Sequence, residues 1–327
     1  MRELRRIFKK PLTLGILILL ILVLAALPNF IRPYQIISLI TILMYVILTL
    51  SWSIFSGPTR YVSLGTAAFF GIGVYTSAVL NQKLPLPVII LVGGLISGTL
   101  ALFIGLLTLR LKGIYFILFT FGTSALIRHS LQWWEINITR TIGRFVRAPA
   151  SNVAIYYYVL GIFALTVLIA FALRQSRFGW ALAAIGDNEK AAEHIGINVT
   201  ILKVLTFALT AVLMGGTGAV MAFRFTYIDP TISFNPLISF LPVVMAIFGG
   251  RRIFGPIVGA TLFTLLQLML ITEYPYYFML VMGITLIIVI MYLPDGLTSL
   301  IDKAIPYVVR YPTFGKLYGK LLYNDNP

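Results

Sequence analysis

RQSRFGWALAAIGDNEKAAEHIGINVTILK, residues 174–203, decides how the rest of the chain is to be read. It carries Arg174, Arg177, Asp187, Glu189, Lys190, Glu193, His194 and Lys203 in one connection, and is too polar to cross a bilayer. The sequence on either side is long, apolar and membrane-like. The connection is also too regular for a slack linker. Asp187 and Asn188 are residues that cap helix starts, Glu189 and Lys190 fill a first turn, and Gly196 supplies a stop. Ala191, Ala192 and Ile195 then form a narrow apolar stripe at helical spacing. A short amphipathic helix held in a cytoplasmic loop suits docking onto a soluble partner. The competing reading is a helix that lies on the lipid surface or covers the protein's own base.

Composition agrees with a membrane setting. The chain has 327 residues, 59% of them hydrophobic and 11% charged, with a mean hydropathy of +0.97. Soluble domains are about 25% charged, so the fold class is an all-α polytopic membrane protein. With no cysteine, disulfides, thiolate metal sites and cysteine nucleophiles are excluded. The net charge of +15 falls at the ends of apolar runs, where membrane topology and anionic lipid account for it and nucleic acid does not.

Outward from the polar loop, about ten membrane segments are expected within residues 12–293. Residues 1–11 form a basic cytoplasmic N-terminus. The run 12–27 is a first span, longer than the core of a cleaved signal peptide. Spans follow at 34–55, 62–80, 88–109 and 113–131, then an external loop over 132–153, and a span at 155–173 that delivers the chain to the polar loop. Beyond it, 201–225 is a span and 237–248 is too short for one. That run is either a re-entrant hairpin or a broken span beginning near Ile232. Parity favours crossing, because Arg251 and Arg252 then lie inside. Spans at 254–271 and 276–293 lead to a basic cytoplasmic tail, 294–327. Of 25 Lys and Arg, seven fall outside: Arg32, Lys83, Arg128, Arg140, Arg144, Arg147 and Arg224. The bias places both termini in the cytoplasm.

The segment 62–80 is rich in Gly and hydroxyl residues, costly against lipid and useful against neighbouring helices. Ser63, Gly65, Thr66 and Tyr75 on it, with Thr120 and Thr123 on the fifth span, are candidates to line a substrate pathway, with ordinary helix packing as the competing role. No HExxH, no phosphate loop and no nucleophile–base pair is present, so no catalytic residue and no metal ligand is assigned. The acidic residues Glu135, Asp229, Glu273 and Asp295 sit at or beyond span ends and read as interfacial groups. Ion-coupled carriers place such residues at the membrane midplane instead. The residues alone therefore describe a permease or channel energised from outside the chain, with an ion-coupled secondary carrier or passive channel as the other class.

Residues 177–220, RFGWALAAIGDNEKAAEHIGINVTILKVLTFALTAVLMGGTGAV, resemble the signature of the LivM-type permease of branched-chain amino acid ABC importers. YVSLGTAAFFGIGVYTSAV, IYFILFTFGTSALIR, VMAIFGGRRIFGPIVGA and LPDGL resemble further segments of that family, in the expected order. The resemblance implies an inner-membrane subunit with no cofactor of its own. It implies a second related permease, two cytoplasmic ATPases that use the ATP, and an extracytoplasmic substrate-binding protein. It also implies that Asp187, Asn188, Glu189, Lys190, Ala191, Ala192 and Gly196 form the ATPase-coupling helix, with Glu189 standing in for the family's acidic position, where this chain has Lys190. Branched-chain or other hydrophobic amino acids lead as substrate, followed by urea, short amides or another small organic solute. One region departs: TRTIGRFVRAPASN, residues 139–152, keeps only Thr141 and Gly143 of a Gly-rich stretch and adds three arginines. A match to an acidic binding protein suits these better than a more anionic ligand.

Overall fold

A computed structural model of the chain describes residues 11–81, 83–111, 113–146, 151–250 and 254–277, with a few positions between 280 and 291. The helices, in order, are α1 (Pro11–Ala26), α2 (Pro33–Thr59), α3 (Thr66–Leu80), α4 (Leu86–Thr108), α5 (Ile114–Trp134) and α6 (Asn152–Gln175). Then come α7 (Arg177–Asp187), α8 (Glu189–His194), α9 (Val199–Met221), α10 (Pro230–Ser233), α11 (Leu237–Gly249) and α12 (Gly255–Glu273). Two short strands, β1 (Arg144–Phe145) and β2 (Tyr227–Ile228), pair antiparallel, with Arg144 opposite Ile228. The chain is an all-α polytopic membrane protein. Among the described residues, seven helical stretches are long and apolar enough to cross a membrane: Pro33–Thr59, Leu86–Thr108, Ile114–Thr139, Asn152–Gln175, Val199–Arg224, Pro230–Gly249 and Gly255–Glu273. Of the ten expected segments, α1 and α3 are shorter, and 276–293 falls largely outside the described residues, as do residues 1–10, Arg147, Arg251, Arg252 and the tail 294–327.

Residues 1–243 and 244–327 are two compact units. In the first, α2 and α9 are the centre: 72% and 67% of their apolar windows are buried, against 22% for the α5 stretch. The long burial of α9 follows from its sequence. Thr210, Gly215, Gly216, Thr217 and Gly218 give it small faces, which let α3 and α4 approach backbone to backbone. A Cβ on Gly73 of α3 would stand 1.9 Å from the Gly215 carbonyl oxygen, and one on Gly218 would stand 2.0 Å from that of Phe70. Hydroxyls fasten the same faces: Ser77 donates to the Ala219 carbonyl at 2.8 Å and Ser97 of α4 to the Phe69 carbonyl at 2.9 Å. In the second unit, Gly259 of α12 allows similar approach to the Met245 carbonyl, and the Phe248 and Phe263 rings meet at 6.1 Å.

One expectation changes. The segment 62–80 is not one spanning helix. Residues 60–65 are non-helical and only the 15 residues of α3 coil, roughly 22 Å at 1.5 Å per residue. Non-helical backbone inside an apolar bundle persists because protein groups satisfy it. The Trp52 indole donates to the Ser63 carbonyl at 2.8 Å, the Leu64 amide donates to Thr120 Oγ1 at 3.0 Å, and the Gly65 amide to Ser63 Oγ at 3.1 Å. The short run 237–248, for its part, begins with α10, breaks at 234–236 and continues through Pro242 to Gly249 without reversing. The pattern is that of a broken segment starting at Pro230, close to the second of the two expectations.

The packing of α3 on α9 predicts that Gly73→Val drives two backbones apart, costing about 3 kcal/mol or more. Gly161→Ala, with nothing within 4 Å, should be neutral. Thermal denaturation of the full chain in detergent checks the contrast.

Candidate functional site

The polar loop folds as α7 and α8, joined by one residue. Ser176 Oγ accepts from the Gly179 amide at 3.3 Å and starts α7. Asn188 Oδ1 accepts from the Ala191 amide at 3.2 Å and starts α8, as its sequence position suggests. Asp187 closes α7 instead, and its carboxylate pairs with Arg60 at 2.7 Å on the surface. Gly196 ends α8 in the left-handed region at φ 86°, while the Ile197 amide reaches back to the Ala192 carbonyl at 3.1 Å. Asn198 caps α9 through the Ile201 amide. Three consecutive helix starts are thus set by local side chains.

The attachment of α8 to the membrane helices is polar and buried. Glu189 points inward and pairs with the Lys203 ammonium of α9 at 2.5 Å; the lysine side chain is 3% exposed. Lys203 also donates to the Leu109 carbonyl at the end of α4, at 3.0 Å, and to the Tyr61 hydroxyl at 3.3 Å. Tyr61 in turn donates to Glu189 at 3.2 Å and offers its ring to the ammonium, 4.5 Å from the ring centre. Burial, then the Glu189 charge and hydrogen bond, push the Tyr61 phenol up to about 12, so it stays a neutral donor. The lysine's three N–H donors therefore bind the loop after α2, the end of α4 and the start of α8 to α9. Close packing joins them: a Cβ on Gly186 would stand 2.0 Å from the Pro58 carbonyl oxygen of α2.

This geometry corrects the expected faces of α8. Ala192 is buried against Ile185 and Val199, with Ala184, Ile197 and Leu202 beside them. Ala191 and Ile195 are exposed, Ile195 at 73%, so the three residues do not make one stripe. Glu189 faces Lys203 and Tyr61. The outward face carries Lys190, Ala191, Glu193, His194 and Ile195. Nothing local distinguishes Ala191 from Ala192; only their neighbours do. Lys203 did carry a signal, since a lysine inside an apolar helix requires a partner.

The pathway candidates divide. Ser63, Gly65, Thr66 and Thr120 come together around the non-helical segment before α3. The Thr123 hydroxyl donates to the Phe119 carbonyl at 2.9 Å within its own helix. Tyr75 is drawn to the other end of α3, where it donates to Glu135 at 2.5 Å. Glu135 is 1% exposed on the π-helical turn Glu135–Thr139 and accepts also from the Gly143 amide at 3.0 Å. It is therefore a buried anchor and not an interfacial group. Arg144 lies 3.7 Å from it, so one of the three arginines of the stretch 139–152 serves inside the chain. Among the described residues, no group of three His, Asp or Glu side chains could hold a metal ion.

Removing one partner of the buried pair leaves an unpaired charge. Lys203→Met and Glu189→Gln should each cost about 3–5 kcal/mol, with the double variant recovering much of that loss. A thermal double-mutant cycle on the full chain measures this coupling; additive losses would refute it.

Comparison with known proteins places this architecture. Residues 35–290 match the family described as branched-chain amino acid transport system / permease component. The LivM permease protein of the high-affinity branched-chain amino acid transport system of Salmonella typhimurium is 24% identical over 288 residues, covering 78% of this chain and 68% of the relative. Its Escherichia coli counterpart is 23% identical over the same shares. The ribose import permease protein RbsC of Haemophilus influenzae is 26% identical over 67% of this chain and 72% of its own length. No solved structure matches. With most of its length inside the family's bounds and a bundle built on α9, the chain belongs to the branched-chain amino acid transport permease family of ABC transport systems.

Proposed function

We propose that this chain is the membrane-embedded permease subunit of an ATP-driven importer of branched-chain or other hydrophobic amino acids. The observation that carries the reading is the two-sided construction of α8. Its inner face is fastened to α9, α4 and the loop after α2 through Lys203 and Tyr61, while its outer face offers Ile195 among Lys190, Glu193 and His194. Such a helix receives force on one side and delivers it to three membrane elements on the other. The force comes from two separate cytoplasmic ATPase subunits, which bind and use the ATP; this chain binds no cofactor. A second related permease completes the pathway, and an extracytoplasmic binding protein delivers the solute, with Arg140 on the external loop as a contact for an acidic face. The protein sits in the cell membrane with α8 and both termini on the cytoplasmic side.

The ribose import permeases among the relatives support a second reading, in which the solute is a pentose. Proteoliposomes holding the full complex decide between them. ATP-dependent uptake of labelled leucine is expected, and ATP-dependent uptake of ribose without leucine would transfer the assignment to the sugar. Uptake driven by an ion gradient in the chain alone would remove the importer reading.

The two faces of α8 make a further prediction. Ile195→Asp should abolish co-purification of the ATPase subunits and uptake while leaving thermal stability within about 0.5 kcal/mol of the parent. Ala192→Glu should instead destabilise the chain itself, since it buries a charge against Ile185 and Val199. Equal loss of stability in both would contradict the assignment of faces.

A further inference from the structure

One face of α9 reads inward from the α8 end as Lys203, Phe207, Thr210 and Met214, at spacings of four, three and four residues. Phe207 stands directly behind Lys203. Its ring meets Phe55 of α2 at 5.0 Å, Phe69 of α3 at 5.2 Å and Phe116 of α5 at 6.2 Å. Tyr61, bound to Glu189 and Lys203, closes the outer side of this cluster with its ring 5.4 Å from that of Phe116.

Beyond the aromatic cluster lies a cavity of about 10 Å³, room for roughly one water molecule. Ser56, Ser63, Thr66 and Thr210 give it hydroxyls, and Trp52 and Met214 give it walls; no lining side chain is ionised. Many hydroxyls of the bundle are occupied by the carbonyl one turn back, as at Thr59, Thr76, Thr166, Thr206 and Thr217. Among the described residues, the hydroxyls of Ser51, Ser56, Thr66, Thr108, Ser124 and Thr264 are buried without a partner, and of these Ser56 Oγ and Thr66 Oγ1 line the cavity. Both residues are more than nine-tenths buried, both hydroxyls lack a partner, and both border the cavity. An unsatisfied buried hydroxyl is costly, and two around one space define a site for something that hydrogen-bonds to both.

We propose that this cavity between α2, α3 and α9 is a way-station on the translocation path for a small uncharged hydrogen-bonding group, and that Phe55, Phe69, Phe116 and Phe207 are its plug on the α8 side. The group is a water molecule or the polar end of a neutral portion of the solute; both present the same donor and acceptor to Ser56 and Thr66. The plug is held shut by Tyr61, whose hydroxyl is bound to the base of α8. Movement of α8 therefore bears on the plug through one residue. The inference rests on reading the chain as a solute permease.

The chain has no cysteine, so single replacements report access without background. In inside-out membrane vesicles carrying the full chain with its partner subunits, Ser56→Cys should react slowly with a membrane-impermeant maleimide. Adding Phe207→Ala should raise the rate at least tenfold, and adding Tyr61→Phe, which keeps the ring and removes only the latch hydroxyl, should raise it several-fold. Leu205→Cys, on the exposed side of α9, should not respond to either. If Phe207→Ala fails to fold, Tyr61→Phe and Phe207→Leu carry the test. Slowing of the reaction by leucine or ribose assigns the station to the solute, and accelerated labelling indifferent to both assigns it to water. Labelling of Ser56→Cys that neither plug nor latch variant changes would overturn the proposal. Transport is scored in the same vesicles as ATP-driven release of solute loaded, with its binding protein, in the lumen, which is the extracytoplasmic side: intact ATP-driven release with unchanged labelling removes the gate alone, whereas accelerated labelling without any ATP-driven release removes the importer reading alone.

Discussion

A lysine buried in an apolar helix sets the terms for the rest of this structure. Lys203 enters α9 one turn after its start, where an ammonium without partners costs several kcal/mol. Its solution uses groups from three places: the carboxylate of Glu189, the carbonyl of Leu109 and the hydroxyl of Tyr61. Satisfying one charge thereby fixes the polar loop, the end of α4 and the loop after α2 to the central helix. Continuum arguments give a buried pair little net stabilisation over an apolar replacement. Its contribution here is positional, because it ties α8 to the loop after α2, the end of α4 and α9.

The second constraint is backbone satisfaction inside an apolar bundle. Between α2 and α3 the chain runs non-helical for six residues, and their backbone groups find Trp52, Ser63 and Thr120. The part of the break beyond Tyr61, residues 62–65, places polar backbone and hydroxyls in the interior without an ionisable group, which suits a path for neutral or compensated solutes. Close packing of α3 and α4 on α9 holds the break in place. Small residues there substitute for a hydrophobic driving force that lipid does not provide.

Much of this was legible in the sequence. The apolar runs gave seven of the expected segments, and Asn188 and Gly196 bounded α8 because capping is a local matter of one side chain and one backbone angle. What escaped depended on distant partners. Hydropathy reads 62–80 as a single span because it cannot register the bond from Leu64 to Thr120, 56 residues away. The inward turn of Ala192 depends on Ile185 and Val199, and the inward turn of Glu189 on Lys203. Glu135 looked interfacial because it ends a span, yet Tyr75 and the Gly143 amide enclose it. The aromatic cluster was invisible for the same reason, its four rings coming from four helices.

The central claim is that the Glu189–Lys203 pair transmits force and does not merely dock a partner. The direct measurement is the number of solute molecules moved per ATP hydrolysed by the reconstituted complex carrying Glu189→Gln together with Lys203→Met. The account predicts hydrolysis close to that of the parent, since the outer face of α8 is untouched, with a several-fold lower ratio of transport to hydrolysis. An unchanged ratio, or hydrolysis that falls in step with transport, would contradict it.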